Sequence, residues 1–218
     1  MNLFLDIETI PSQSPQLLED LRAAVKAPGQ YSKPESIQKW LEDNREAVAQ
    51  ADLLKTSFDG AYGQIVAISW ATDLEGETEF VQDLDLESEK GLLNSIWDRL
   101  VEVVKKNKPV IVGHNVAAFD IPFLWKRSIV HQTRPPIWFP RNPKPWSDSV
   151  FDTMHQWDGE KRISMDNLCK ALGIPGKGEV TGADVWPMAQ AGKFEEIARY
   201  CQDDVNRTRE IYKRMTFL

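Results

Sequence analysis

The order of strand and helix patterns is the sequence feature that most narrows the fold of this chain. Strand patterns come first, at residues 2–8, 63–73 and 77–84, and a helix pattern at residues 87–107 leads into the short apolar strand "PVIVGH". Further helix patterns follow, and the last of them covers about residues 193–215. Strands followed by helices around a short central strand are typical of an α/β protein. We therefore predict a mixed β-sheet that is flanked by helices.

A polar segment of about 50 residues separates the first two strands. Residues 12–60 have helical patterns, and their second half carries an amphipathic apolar stripe made of Ile37, Trp40, Leu41, Val48 and Ala51. A chain of 218 residues is long enough for one sizeable α/β core and short for two independent ones. We predict a single domain, residues 1–218, that contains a helical insertion at residues 12–60.

Composition and charge limit the compartment and the mode of binding. The start of the chain lacks a signal-peptide pattern, and no stretch has the length of a membrane span. Cys169 and Cys201 show neither metal-ligand spacing nor a secretory context. These observations predict a cytoplasmic protein that does not bind membranes. The formal net charge of −7 argues against a long electrostatic nucleic-acid footprint, although Lys126 and Arg127 belong to small basic patches that either contact a strand or are solvated.

Two carboxylates at the first strand suggest a metal site. Asp6 and Glu8 are two residues apart, so both side chains point to the same face near the C-terminal end of the strand. Two carboxylates that are directed together repel each other unless a cation lies between them, and hard oxygen ligands suit Mg²⁺ or Mn²⁺. A pair of this kind also occurs at strand ends without a metal.

Two further acidic residues lie in predicted helices later in the chain. Asp120 comes six residues after His114 and lies in the first turn of a helix, where it either compensates the helix dipole or joins the first pair. In the last helix, Asp204 lies on the flank of the apolar stripe and Tyr200 one turn before it, whereas Asp203 points to solvent. A carboxylate beside core packing is costly unless it is paired or binds a metal. Asp204 is therefore the candidate ligand, although a boundary Asp bonded within its own helix is the alternative.

A loop rich in proline and aromatic residues lies between these two acidic positions. Five prolines between His131 and Ser147 are interleaved with Trp138, Phe139 and Trp146. Regular structure is unlikely to form there, and the aromatic content exceeds that of a passive linker. The segment is either a flap beside a bound ligand or a surface loop packed against the core.

Three ordered motifs resemble those of the DEDD (DnaQ-like) 3'-5' exonucleases. "LFLDIETIP" is similar to the first exonuclease motif, "VGHNVAAFDIPFL" to the second, and "YCQDDVNRTREIY" to the third in the Tyr-x-x-x-Asp form of the DEDDy branch. The phrases "YGQIVAIS", "FDTM" and "LCKALGIPGKG" resemble the proofreading domain of family B DNA polymerases and a stand-alone group of predicted exonucleases related to it. The resemblance covers most of the chain outside residues 12–60 and implies a ribonuclease H-like fold.

The resemblance also implies an activity and roles for individual residues. It implies hydrolysis of the 3'-terminal phosphodiester with two Mg²⁺ or Mn²⁺ ions, in which Asp6, Glu8, Asp120 and Asp204 hold the ions. Because the ordinary pKa of a tyrosine side chain is about 10, Tyr200 is better suited to orient the attacking water than to act as a free base. The residues expected at the substrate are Thr9 and Ile10 beside the terminal nucleotide, and Asn115 and Phe119 beside the penultimate one.

Several functional alternatives stay open on the sequence. The expected substrate is the 3' end of single-stranded DNA, and the product a nucleoside 5'-monophosphate. An exoribonuclease similar to RNase D is one alternative, and a nucleic-acid-binding or replisome-docking module without turnover is another. A polymerase or other replication protein is a possible partner. The insertion could cover the active site, contact the strand or dock a partner protein.

Overall fold

The computed structural model gives the bounds of all elements in the part of the chain that it describes, which is residues 1–82, 86, 88–104, 108–176, 178 and 180–218. The strands are β1 (Asn2–Ile10), β2 (Gln64–Ala71), β3 (Glu79–Gln82), β4 (Val110–Gly113) and β5 (Val150–Asp152). The helices are α1 (Pro15–Ala24), α2 (Pro34–Lys55), α3 (Glu89–Val103), α4 (Asp120–His131), α5 (Thr153–Trp157), α6 (Met165–Leu172), α7 (Val185–Gln190) and α8 (Phe194–Met215). Short 3₁₀ turns lie at Thr56–Phe58 and Gly182–Asp184.

The strands form a mixed five-stranded sheet with β1 at its centre. The strand order is β3-β2-β1-β4-β5. β1, β2 and β3 pair antiparallel, whereas β4 and β5 run parallel to β1. This arrangement confirms the predicted α/β sheet flanked by helices and is consistent with a ribonuclease H-like fold. The predicted strand at 77–84 and helix at 87–107 each extend into residues outside the described ranges, namely 83–85, 87 and 105–107.

The two faces of β1 serve different purposes. Leu3, Leu5 and Ile7 lie in the main hydrophobic core together with residues of α3 and α4. The opposite face, which carries Phe4 and the two carboxylates, is covered by α8. The alternation along β1 thus follows the predicted period of two. Because α8 packs across both β1 and β2, it brings its own side chains to the middle of the sheet.

The segment after the proline-rich loop differs from the prediction. We expected only helices there, whereas residues 150–152 form β5, a parallel strand beside β4. Three residues carry too little periodicity to reveal a strand. Within the loop itself, Phe139 is buried in the core and its ring packs 4.9 Å from that of Trp97, while Trp146 is exposed. Of the two interpretations of this segment, a surface loop packed against the core agrees with the position of Phe139.

Arg127, one of the residues of a predicted basic patch, is part of a buried cluster of ion pairs. The Arg127 side chain is buried, and its Nη2 donates to Oε2 of Glu89 at 2.6 Å. Glu89 also accepts from the backbone N–H of Ile65 at 2.8 Å and lies 2.7 Å from His131 Nε2. A buried pair of this kind needs such additional hydrogen bonds to offset its desolvation. Arg127 is therefore neither solvated nor available to a nucleic-acid strand.

The insertion forms a helical hairpin at the edge of the domain. α1 and α2 pack against each other, and the turn at Thr56–Phe58 returns the chain to β1. Ala49 is the buried residue of α2, whereas Ile37, Trp40, Leu41 and Val48 are half-buried and Ala51 is exposed. The helical prediction for this segment is confirmed, but its apolar stripe is covered only in part.

Candidate active site

The first two candidate ligands lie in the central strand. β1 continues to Ile10, two residues beyond Glu8, so the pair is not at the end of the strand as predicted. Parallel pairing with β4 nevertheless stops at Phe4, and the pairing with β2 shifts register between Glu8 and Thr9. Asp6 and Glu8 therefore occupy the part of β1 that β4 no longer covers. An irregularity of this kind next to a site redirects side chains locally.

Asp120 is held against the same stretch of β1. Its Oδ1 accepts a hydrogen bond from the backbone N–H of Ile7, at 3.1 Å. That N–H lies between the two candidate ligands in sequence, beyond the end of the β4 pairing. The carboxylate of Asp120 thus takes the place of a sheet partner, which explains its position better than dipole compensation alone. The prediction that Asp120 comes close to the first pair is supported by this contact.

Helix α8 supplies the fourth carboxylate and the tyrosine. Asp204 and Tyr200 are both buried, while Asp203 is exposed, as the helical period predicts. Both buried side chains line a cavity of about 360 Å³ together with Asp6, and a groove of about 610 Å³ together with Glu8. Asp6, Glu8 and Asp204 therefore border two cavities that share Tyr200, and Asp120 is buried and bonded to β1 between Asp6 and Glu8.

The electrostatics of this region disfavour several negative charges at once. Burial is the main reason that the pKa of Asp120 rises from 3.8 to about 7, and the charges of Asp152 and Asp204 add to this rise. The backbone hydrogen bond from Ile7 acts in the opposite direction. Arg207 offsets part of the charge of Asp204, because its Nη1 donates to Asp204 Oδ1 at 2.8 Å. A cation would offset the repulsion that adds to this rise in the pKa of Asp120.

A thiol lies beside the first pair. Cys201 Sγ donates to Oδ2 of Asp6 at 3.4 Å, and candidate ligand atoms of Asp6, Glu8 and Cys201 all lie within 4.8 Å of one another. Asp120 and Asp204 do not join a group of three at this spacing in the described part of the chain. Burial and the two neighbouring carboxylates raise the pKa of Cys201 well above its ordinary value. The candidate donors around this thiol are mainly carboxylate oxygens, which are hard ligands of the kind that suits Mg²⁺ or Mn²⁺.

The expected substrate-contacting residues have different environments. Thr9 and Phe119 line the 610 Å³ groove, and Asn115 lines the smaller cavity beside Asp6. Asn115 has a φ of 63°, a left-handed conformation that asparagine tolerates better than most residues. The side chain of Ile10 is fully buried in the core under α7 and α8, so the predicted packing of this side chain on a nucleotide has no exposed surface, and its backbone contact stays a prediction. The alternation along β1 puts Ile10 on the same face as Glu8, and helices α7 and α8 cover that face at the end of the strand.

Several residues at the site were not identified from the sequence. Asp152 is buried and accepts from the backbone N–H groups of Asn115 and Ala117, at 2.9 and 3.1 Å, which fixes the loop before Asp120. Arg207 and Cys201 contact the ligand carboxylates directly. Arg207 follows Asp204 by three residues, a spacing at which side chains meet on a helix. The sequence could therefore have predicted this ion pair. Phe58 and Trp186 line the groove, and no local pattern marks them.

Comparison with known proteins identifies the family. Among the described residues, no helix is long and apolar enough to cross a membrane. A search of curated proteins found no match. A family model described as a predicted 3'-5' exonuclease related to the exonuclease domain of PolB matches residues 56–218, a range that includes Asp120, Tyr200 and Asp204 but not β1. The match covers most of the chain, which therefore belongs to this family of 3'-5' exonucleases.

Proposed function

We propose that this exonuclease removes nucleotides one at a time from the 3' end of single-stranded DNA and releases nucleoside 5'-monophosphates. The observation that carries the proposal is that Asp6, Glu8 and Asp204 line two cavities that both include Tyr200, while Asp120 is bonded to β1 between Asp6 and Glu8. The resemblance to the proofreading domain of family B DNA polymerases favours DNA over RNA. An open groove beside the carboxylates suits an unpaired end, whose bases are free to lie on apolar side chains.

The four carboxylates would hold two Mg²⁺ or Mn²⁺ ions. Bound ions would activate water and stabilise the negative charge on the attacking and leaving oxygens. Asp6 is central to this set. Its carboxylate lies within 4.8 Å of that of Glu8, and it lines the same cavity as Tyr200 and Asp204. The hydrogen bond from Ile7 holds Asp120 in place, and the hydrogen bond from Arg207 orients the carboxylate of Asp204.

Hydrolysis then needs a positioned water and a proton for the leaving group. The water oxygen forms a bond to the phosphorus of the terminal nucleotide, and the bond from phosphorus to the 3' oxygen of the preceding nucleotide breaks. That oxygen takes up a proton, which leaves a shortened strand with a 3' hydroxyl group. Tyr200 lines the groove, where its hydroxyl would orient the water by a hydrogen bond.

The test is the degradation of a 5'-labelled oligonucleotide by wild type and Asp6→Ala. Matched single-stranded DNA and RNA are incubated with Mg²⁺, Mn²⁺ or EDTA. We expect a ladder that shortens from the 3' end of DNA, needs a metal and is absent with Asp6→Ala. Faster shortening of RNA would favour an exoribonuclease. No shortening under any metal, combined with tight binding to the end, would indicate a binding or docking module instead.

A further inference from the structure

The end of the insertion is fixed to the strand that carries the first two carboxylates. Thr9 Oγ1 donates to the backbone oxygen of Ser57 at 2.7 Å, and the backbone N–H of Ser12 donates to Thr56 Oγ1 at 2.8 Å. The turn also packs tightly against Gly63, where an added Cβ would lie 2.3 Å from the backbone oxygen of Thr56. The turn at 56–58 is therefore a fixed part of the site, although the hairpin before it contacts the domain little.

This anchored turn and the end of α2 just before it expose apolar side chains inside the groove. Phe58 is 76% exposed and Leu54 is 48% exposed, and both line the same groove as Glu8 and Asp204. Single exposed apolar residues are common on protein surfaces, whereas a contiguous apolar groove marks a ligand-binding surface. Phe119, Trp186 and Pro187 also line this groove, so apolar surfaces surround its acidic residues.

We propose that Phe58, supported by Leu54, is a stacking surface for a base at the 3' end of the bound single strand. The insertion would thus contribute directly to substrate binding and would position the end of the strand at the carboxylates. This inference rests on the proposed function, because it assumes a nucleic-acid end in the groove. A base fits the chemistry, since every base has an apolar face that stacks on aromatic rings while its phosphates lie toward the metal ligands.

The surface suits a substrate better than a protein partner. Phe58 lies in a groove that it shares with Tyr200 and Asp204, and a protein segment bound there would block the acidic site. The apolar surface also adjoins Thr9, whose backbone follows directly after Glu8. A base on Phe58 and a phosphodiester at Glu8 and Asp204 can therefore belong to the same strand end.

The experiment compares Phe58→Ala, Phe58→Trp and the matched control Phe217→Ala on two substrates. Phe217 is 95% exposed near the chain end and does not line the groove. One substrate is a single-stranded DNA with ordinary bases, and the other has abasic sites at its last two 3' positions. Rates give kcat and KM in Mn²⁺, and fluorescence anisotropy gives Kd in EDTA. Urea unfolding shows that each variant is folded.

We expect Phe58→Ala to raise KM and Kd for ordinary DNA about 5- to 100-fold, which corresponds to the loss of one stacked base. Phe58→Trp should restore binding, and Phe217→Ala should behave like wild type. On the abasic end, wild type and Phe58→Ala should bind equally, because no base is present to stack. The inference is overturned if Phe58→Ala binds ordinary DNA as wild type does, or if its loss is equally large on the abasic end.

The two proposals fail in distinguishable ways. If wild type shows no turnover with any metal, the proposed function fails. The anisotropy measurements with ordinary and abasic ends still decide whether Phe58 stacks on a base. If turnover is normal and Phe58 has no effect on KM or Kd, the function stands and only the stacking surface is wrong.

Discussion

Helices α2 and α8 have the same length and opposite environments. Each contains 22 residues, and each shows an apolar stripe in the sequence. Ten residues of α8 are buried, among them Tyr200, Cys201 and Asp204, because the helix lies across β1 and β2. In α2 the buried residue is Ala49, because this helix packs mainly against α1. The comparison teaches that a helical period predicts a helix, whereas burial depends on which surface the helix meets.

The largest expected effect is a loss of kcat on substitution of the buried Asp204 but not of the exposed Asp203, on the opposite face of α8. Asp204→Asn removes a negative charge from the proposed ligand set and should lower kcat at least about 100-fold, because several kcal/mol of transition-state stabilisation depend on the bound cations. Asp203→Asn is the matched control on the exposed face and should keep wild-type kcat. Single-turnover rates on labelled DNA measure both. Equal activity of the two variants would contradict the placement of the site on α8.

The next effect concerns stability and compares α8 with α2 directly. Ile197→Ala should lower the free energy of unfolding by about 2–5 kcal/mol, because Ile197 is fully buried. Ile37→Ala in α2 should cost about 1 kcal/mol or less, since Ile37 is only half-buried. Urea unfolding of both variants gives the comparison. A similar cost at the two positions would mean that the hairpin is covered in solution.

A bound metal should protect the two regions unequally. At about 100 times its Kd, Mn²⁺ stabilises the folded state by about 2.7 kcal/mol if it binds only that state. Hydrogen exchange of backbone amides should slow in β1 and α8 but not in α1 or α2. Asp6→Ala should lose this protection. Protection that is uniform along the chain, or that persists in Asp6→Ala, would argue against ions at the four carboxylates.

The smallest effect concerns one hydroxyl group. Tyr200→Phe keeps the ring in the core under α7 and α8 and removes the group that is proposed to orient water. We expect kcat to fall about tenfold, the equivalent of one hydrogen bond of about 1.4 kcal/mol. Tyr31→Phe in the insertion is the control and should leave kcat unchanged. An unaltered kcat in Tyr200→Phe would show that the water is oriented by another group.

Much of the fold follows from local chemistry. The period of two along β1 predicts which of its residues share a face, and the helical period of α8 distinguishes Asp204 from Asp203. Ser164 accepts a hydrogen bond from the backbone N–H of Asn167 at the start of α6, and Gly173 ends that helix with a φ of 66°. Each of these features depends on residues that are close in sequence, so a single sequence is sufficient to predict them.

Other features depend on contacts between distant segments. Ile10 is buried because α7 and α8 cover the end of β1 on the face that it shares with Glu8, and no residue near Ile10 signals that cover. β5 is too short to show a period, and its place beside β4 comes from parallel pairing. A charged residue such as Arg127 is expected at the surface. Arg127 is nevertheless buried, and its charge is paired with Glu89, 38 residues away in the chain.

By itself the sequence determined the elements, the acidic residue types and the order of the three motifs, because these are properties of neighbouring residues. Only the tertiary structure decided that Asp120 bonds to β1 between Asp6 and Glu8, and that α8 places Asp204 and Tyr200 in the same groove. It also decided that Phe58, at the end of an insertion, faces that groove. The physical reason is that these positions depend on strand pairing and helix packing across the sheet, which bring together residues far apart in the chain.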